Sequence, residues 1–304
     1  MSDNLIAIEP KQAPAYVAAV SEAGGQVVPM SSSVRALVWT DYSQPQALAE
    51  TIEANPQLEW VQLPFAGVDA FNQVLQLPIR FTSAKGAYRE PVAEHALMLC
   101  MALGRKLPDR VRAKTWGEKF AVSLYDASVT IVGAGGITQE LLKLLEPFRS
   151  RVTVVRNSAE PMIGAHETVQ LERLDQALAS AEFVILACAL TPETMHLFDL
   201  ERFKQMRPEA YLVNIARGPH VVTTDLLTAL ETGLIAGAGI DVTDPEPLPD
   251  DHPLWNAPNL IITPHTADTN VQVERLFSDR LRLNVAAFLG KGEWVGQVDP
   301  VLGY

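Results

Sequence analysis

Short runs of Val, Ile, Leu and Ala recur along the second half of the chain, at 129–133, 152–155, 183–188, 210–216, 237–242 and 260–264, with helix-spaced segments between most of them. Stretches such as FVILA and LIIT carry no polar face, the pattern of parallel strands buried on both sides. Strands and helices alternating in this way predict an α/β fold with a doubly wound parallel sheet. Residues 1 to about 98 alternate more loosely: LIAIEP, a helix from Ala13 to Glu22, VRALVWT, a helix near Pro45 to Ala54, and LEWVQLP, together a smaller α/β unit. A helical stretch over Glu90 to Lys114 is long enough to connect the two, so a boundary is predicted near residue 98. Past His265, the apolar positions Val273, Phe277, Leu281, Val285 and Phe288 predict an amphipathic helix that ends near Gly290 and returns to the first unit.

Length agrees with two units, because 304 residues exceed the roughly 250 to 300 at which one core stops growing. The 48% hydrophobic and 20% charged content is that of a folded globular chain. A net charge of −12 repels phosphate backbones and anionic lipid, which argues against nucleic-acid or membrane partners. It also means that any anionic substrate must be met by a local positive pocket, which draws attention to individual arginines. Cys100 and Cys188 sit in apolar contexts and read as reduced core thiols. The start MSDNLIAIEP lacks a basic and then apolar leader, and Ala96 to Leu103 is too short to span a bilayer, so a cytoplasmic protein is expected.

The segment VTIVGAGGITQELLKLLEP places Gly133, Gly135 and Gly136 between a strand and a helix. Glycines there let the backbone turn tightly and approach a pyrophosphate, whose charge meets the amides of the helix N-terminus; Ile137 belongs to the same turn. Thr138 stands where a third glycine is usual and is expected to hold the helix slightly away from the strand. At the end of the next strand, VTVVRNS puts Arg156 where an acidic residue commonly bonds the ribose 2′-hydroxyl. Arginine attracts a 2′-phosphate instead, and Asn157 and Ser158 can add hydrogen bonds, so NADP(H) is predicted as the preferred cofactor, with NAD(H) possible. Cys188 and Ile215, at the ends of later strands, complete the expected cofactor-binding set.

Three further segments, LVNIARGPHVVTTDLLTAL, AGAGIDVTDPEPLP and LIITPHTAD, together with QLPFAGVDAF, AKGAYREPVAEHAL, ALTPETMHLF and GQVDPVLGY, give the chain a resemblance to the D-isomer-specific 2-hydroxyacid dehydrogenases over nearly its whole length. The resemblance implies a Rossmann-type dinucleotide-binding domain over 99–269. It also implies a smaller flavodoxin-like substrate domain over 1–98, completed by 270–304. Arg217, Glu246 and His265 become the catalytic arginine, acid and acid/base histidine. Ala66 and Gly67 are implied to grip the substrate carboxylate with Arg217, between the domains, and Asp241 to bond the nicotinamide carboxamide. A homodimer and a small 2-oxo acid substrate, such as glyoxylate or hydroxypyruvate, follow from the same resemblance.

Chemistry agrees with these roles. Reducing a 2-oxo acid needs a proton at the carbonyl oxygen, which a histidine titrating near neutrality can deliver. A neighbouring carboxylate favours the charged imidazole, and the planar fork of an arginine suits a carboxylate. Of the other histidines, His95 reads as a hydrogen-bonded packing residue on the connecting helix, His166 and His252 as loop residues, and His196 and His220 as lacking an acid partner. No metal-ligand spacing is present, so no metal is expected. A dinucleotide-sensing regulator of the same fold is the alternative from another class, and a formate dehydrogenase, which needs no proton donor, is the alternative enzyme; the glutamate favours oxo-acid reduction.

Overall fold

A computed structural model of the chain describes residues 4–158 and 160–300. Its contacts divide the chain into two compact units, Met1–Tyr88 with Thr269–Tyr304, and Arg89–Asp268.

The first unit begins with β1 (Leu5–Glu9), α1 (Pro14–Glu22), β2 (Gln26–Val27), β3 (Ala36–Trp39), α2 (Pro45–Ala54), β4 (Trp60–Gln62) and β5 (Arg80–Thr82). Both helices open on a proline, whose missing N–H falls where no intrahelical acceptor exists. The strands pair in parallel in the order β2-β1-β3-β4-β5, a flavodoxin-like arrangement. Leu37, Leu48, Val61, Leu63 and Phe71 fill one face. Ala66 and Gly67 lie in the irregular segment after β4.

The second unit carries α3 (Arg89–Gly104), α4 (Leu107–Arg112), β6 (Ser128–Val132), α5 (Gly136–Leu145), β7 (Arg151–Arg156), β8 (Glu167–Gln170), α6 (Leu174–Leu178), β9 (Phe183–Leu186), α7 (Leu200–Phe203), β10 (Tyr211–Asn214), α8 (Thr223–Glu231), β11 (Gly237–Ile240) and β12 (Leu260–Ile262). Its seven strands are parallel in the order β12-β11-β10-β9-β6-β7-β8, so the winding reverses between β6 and β9. The FVILA run shows why it lacks a polar face: Val184 and Leu186 join one apolar layer while Phe183 and Ile185 join the other. Crevices outside the carboxyl ends of such strands are where ligands bind in this architecture.

Two expectations change. The helix expected over Glu90 to Lys114 is broken after Gly104, with Lys106 at φ 50°, because the ring of Pro108 would clash with the Gly104 carbonyl and cannot donate to it. The strands β2, β5 and the edge strand β8, ETVQ, were not anticipated.

After the second unit the chain forms α9 (Asn270–Phe288), which belongs to the first. Thr269 and Gln272 close its N-terminus as a capping box. Phe277, Leu281 and Val285 turn inward, and the fully buried Asn284 donates to Gln62 Oε1 at 2.7 Å and to Val295 O at 2.9 Å. Among the described residues no helix is long and apolar enough to cross a membrane, and no group of three or more His, Cys, Asp or Glu side chains could hold a metal ion.

Candidate active site

The predicted site residues of the second unit fall at the carboxyl ends of its parallel strands or in the loops and helix start that follow them. Gly133 follows β6, Arg156 closes β7, Cys188 follows β9, Ile215 and Arg217 follow β10, Asp241 follows β11, and His265 lies three residues past β12.

Gly133 takes φ 113°, and a Cβ there would lie 2.5 Å from Ala187 O, so both the backbone angle and the close approach require glycine. Gly135 has the opposite surroundings: a Cβ added to it meets nothing within 4 Å. It is the N-cap of α5 and supplies no side-chain cap, so the first amides of that helix lack the cap bond that a Ser, Thr, Asp or Asn would give. Thr138 is fully buried, and its hydroxyl donates to Gly133 O at 2.9 Å, which ties helix and loop together through the residue expected to separate them. Beyond β7, Ser158 Oγ is buried without a hydrogen-bond partner among the described residues, and no ion pair engages Arg156 among them. Asn157 O accepts from Gln170 Nε2 at 3.2 Å. A glycine-lined turn, the N-terminus of α5, and a guanidinium and a hydroxyl that have no partner among the described residues fit a nicotinamide dinucleotide. Cys188 is half-buried and Cys100 fully so; burial pushes both thiols up to about 12, so neither is a thiolate at neutral pH.

Arg217 has extended backbone (φ −146°, ψ 147°), and its Nη1 donates to Ala216 O at 2.7 Å. The turn that presents it is set by the buried Asn214, whose amide donates to Arg217 O at 2.9 Å and whose carbonyl accepts from Ala216 N at 3.1 Å. Gly218 follows, packed so tightly that a Cβ would lie 1.9 Å from Thr243 O. This contact seats the arginine turn against the loop that carries Glu246.

His265 Nδ1 and Glu246 Oε1 are 2.7 Å apart, and Glu246 Oε2 accepts from Thr243 N at 3.3 Å. The Glu246 bond is the main cause that raises His265 above its ordinary range; burial opposes it, the Glu246 charge adds to it, and the charges of Arg217 and Asp241 act against and with it. Burial alone would raise Glu246, but His265, the Thr243 amide and the Arg217 charge outweigh it and hold the carboxyl below its usual range. With Nδ1 donating to Glu246, Nε2 is the atom left to exchange a proton with a ligand.

His220, Thr263 and Asp268, which sequence reasoning did not assign to the site, surround it together with His95 and the predicted Asp241. His220 is fully buried, with Nδ1 3.0 Å from Arg217 O and Nε2 3.2 Å from Ala189 O. His95 Nε2 is 2.9 Å from Thr263 Oγ1. Asp241 is buried and accepts from Thr263 Oγ1 at 2.6 Å, Thr266 N at 2.9 Å and Ala267 N at 3.1 Å. Burial would raise its carboxyl, yet the donors from His95, Thr263 and Thr266 and the His95 charge together lower it. Asp268 is driven up by burial, with the His265 charge opposing and the Asp241 charge adding. Sequence reasoning named Asp241 and a hydrogen-bonded His95 separately, and the signal that could have joined them is that Asp241 and Thr263 follow neighbouring strands.

Residues 96–267 match the family described as "D-isomer specific 2-hydroxyacid dehydrogenase, NAD binding domain". The chain is 39% identical over 255 residues to an uncharacterized protein in the proB 3′ region of Corynebacterium melassecola, covering 81% of this chain and 84% of that one. It is 32% identical over 251 residues to a glyoxylate reductase/hydroxypyruvate reductase of Mus musculus, covering 79% and 76%. A D-isomer specific 2-hydroxyacid dehydrogenase from Xanthobacter autotrophicus Py2, solved with NADPH and MES, superposes with a TM-score of 0.86 at 25% identity, over 99% of both chains. The chain therefore belongs to the D-isomer specific 2-hydroxyacid dehydrogenase family and is an NAD(P)-dependent oxidoreductase.

Proposed function

We propose that the protein reduces a short 2-oxo acid of the glyoxylate or hydroxypyruvate type to the D-2-hydroxy acid, with NADPH preferred, and runs the reverse reaction when product accumulates. The observation that carries this reading is the 2.7 Å contact between His265 Nδ1 and Glu246 Oε1, with the Arg217 charge bearing on both groups. A bound reduced nicotinamide supplies the hydride that the carbonyl carbon takes up. Arg217 holds the substrate carboxylate through its guanidinium fork. His265, charged through its bond to Glu246, gives the Nε2 proton to the carbonyl oxygen as that oxygen gains charge, and in the reverse direction the neutral ring takes the proton back. Glu246 keeps the ring in the orientation that leaves Nε2 available, much as a buried carboxylate orients the histidine of a hydrolase triad. The mouse relative's name, a glyoxylate and hydroxypyruvate reductase, supports the short substrate.

Arg156, Asn157 and Ser158 are the proposed holders of a 2′-phosphate, and the buried Ser158 hydroxyl, without a partner among the described residues, supports that role. Asp241 is the proposed contact of the nicotinamide carboxamide. A homodimer is proposed too, supported by the exposed apolar side chains of Met98, Met101, Val111, Trp116 and Phe120 along and beyond α3 and α4. Turnover of a panel of 2-oxo acids with NADPH and with NADH tests the proposal. Reduction of the short acids with a higher kcat/KM for NADPH is the expected result. Preference for NADH refutes the role of Arg156, and cofactor binding without turnover of any 2-oxo acid favours the regulator.

A further inference from the structure

A polar chain, half-buried at His95 and Thr263 and buried at Asp241, runs from the flank of α3 to the loop that carries His265. His95 Nε2 lies 2.9 Å from Thr263 Oγ1 and 3.4 Å from Asp241 Oδ1, and Thr263 Oγ1 donates to Asp241 Oδ1 at 2.6 Å. A hydroxyl has one proton, and here the carboxylate, which has none to give, takes it. Thr263 therefore meets His95 with a lone pair, so Nε2 of His95 carries a proton and the chain has one direction: His95 to Thr263 to Asp241.

The same carboxylate then reaches across His265. It accepts the N–H groups of Thr266 and Ala267, on the far side of His265, while the His265 N–H donates to Asp241 O at 2.8 Å and to Thr263 O at 3.0 Å. His265 itself stands at φ 49°, a conformation that a non-glycine residue keeps only where its surroundings over-determine it. Those surroundings are Asp241 and Thr263, and His95 is the side chain that holds both from the helix.

We propose that His95 is a positioning residue for the proton-transfer step, acting through Thr263 and Asp241 to fix the loop in which His265 faces Glu246. This inference rests on the reading of His265 as proton donor. The groups whose charges bear on His265 are Glu246, Arg217, Asp241 and Asp268. His95 itself faces Asp241 and Thr263. Loss of the His95 donor frees Thr263 to rotate, loosens the amides on Asp241 and weakens the aim of His265 at Glu246, which supplies most of the rise in its basicity.

The test compares His95→Leu, which removes the donor, with His95→Gln, whose amide N–H reaches the same atom. His95→Leu lowers kcat about 10- to 100-fold, the scale on which misplacement of a reacting group by about 1 Å acts, with cofactor affinity near wild type. It also moves the high-pH fall of kcat/KM for reduction to lower pH, and His95→Gln restores both. Thr263→Val breaks the chain from its other end and gives the same two effects even if His95→Leu does not fold. A variant that melts earlier but keeps wild-type kcat and pH profile overturns the inference, as does a His95→Gln enzyme as impaired as His95→Leu. His265→Gln in the same assay separates the two failures: if it remains active, the donor reading falls and this inference with it; if it is inactive while His95→Leu is normal, only the role of His95 falls.

Discussion

Gly133 and Gly135 stand two residues apart in one loop, yet an added methyl group meets opposite surroundings at the two positions. At Gly133 it would lie 2.5 Å from Ala187 O, 2.6 Å from Ala187 C and 2.7 Å from Cys188 N, all backbone atoms, on a residue at φ 113°. Strained backbone costs about 1–3 kcal/mol and overpacking against unyielding neighbours about the same, so Gly133→Ala destabilises the protein by roughly 2–6 kcal/mol. For a unit of this size each kcal/mol moves the melting point by about 2–4 °C, so Tm falls by roughly 4–24 °C. Gly135 has φ −85° and ψ −167°, values that alanine adopts, and nothing within 4 Å of the new methyl. Gly135→Ala should leave Tm unchanged or raise it slightly, since alanine restricts the unfolded chain. If a pyrophosphate seats over the α5 amides, that same methyl intrudes on it, and NADPH affinity falls at least about 10-fold, or about 1.4 kcal/mol. Thermal melting of the ligand-free variants and a fluorescence titration with NADPH read both quantities. A Gly135→Ala protein that binds NADPH like wild type, or that melts as early as Gly133→Ala, refutes the assignment of this loop.

Three other predictions follow from the same geometry. In Gly218→Ala the new methyl sits 1.9 Å from Thr243 O, where ordinary contact begins near 3.4 Å, so the Arg217 turn and the Glu246 loop must part by about 1.5 Å; kcat/KM for reduction should fall about 100-fold or more, while NADPH binding by titration stays near wild type. Because the Glu246 bond raises His265, the wild-type kcat/KM for reduction should hold at pH above the ordinary histidine range and fall as pH rises through the raised value; in Glu246→Gln that fall should occur at lower pH, as read from a pH–rate profile. Arg156→Glu should raise KM for NADPH about 10-fold or more and leave KM for NADH little changed or lower, as measured by initial rates with each cofactor.

Much of this fold is readable from the order of residues because the second sheet is buried on both faces. Val184 and Leu186 go to one layer and Phe183 and Ile185 to the other, so the whole run is apolar and stands out. The strand β8 escaped because ETVQ, an edge strand, buries only Val169 well and reads as a polar loop. The break at Lys106 was legible in Pro108, but helical periodicity on either side masked it. Arg217, Glu246 and His265 were legible as motifs on successive strand ends, and the parallel register brings Glu246 and His265 together. The links that orient them were not legible. Asn214 acts through a turn, Gly218 through a backbone contact with Thr243, and His95 lies 168 residues from the Thr263 it bonds, a separation that only tertiary packing closes.

The proton-donor role of His265 is tested most directly by His265→Gln, which keeps a polar side chain of similar reach and removes the titrating group. Single-turnover reduction of the best 2-oxo acid, with NADPH prebound and its affinity measured separately, isolates the chemical step. A fall of about 100- to 10,000-fold in that rate with unchanged NADPH affinity is the predicted result, the range expected when a general acid is removed. Turnover near the wild-type rate contradicts it and returns the 2.7 Å contact between His265 and Glu246 to the status of a structural hydrogen bond.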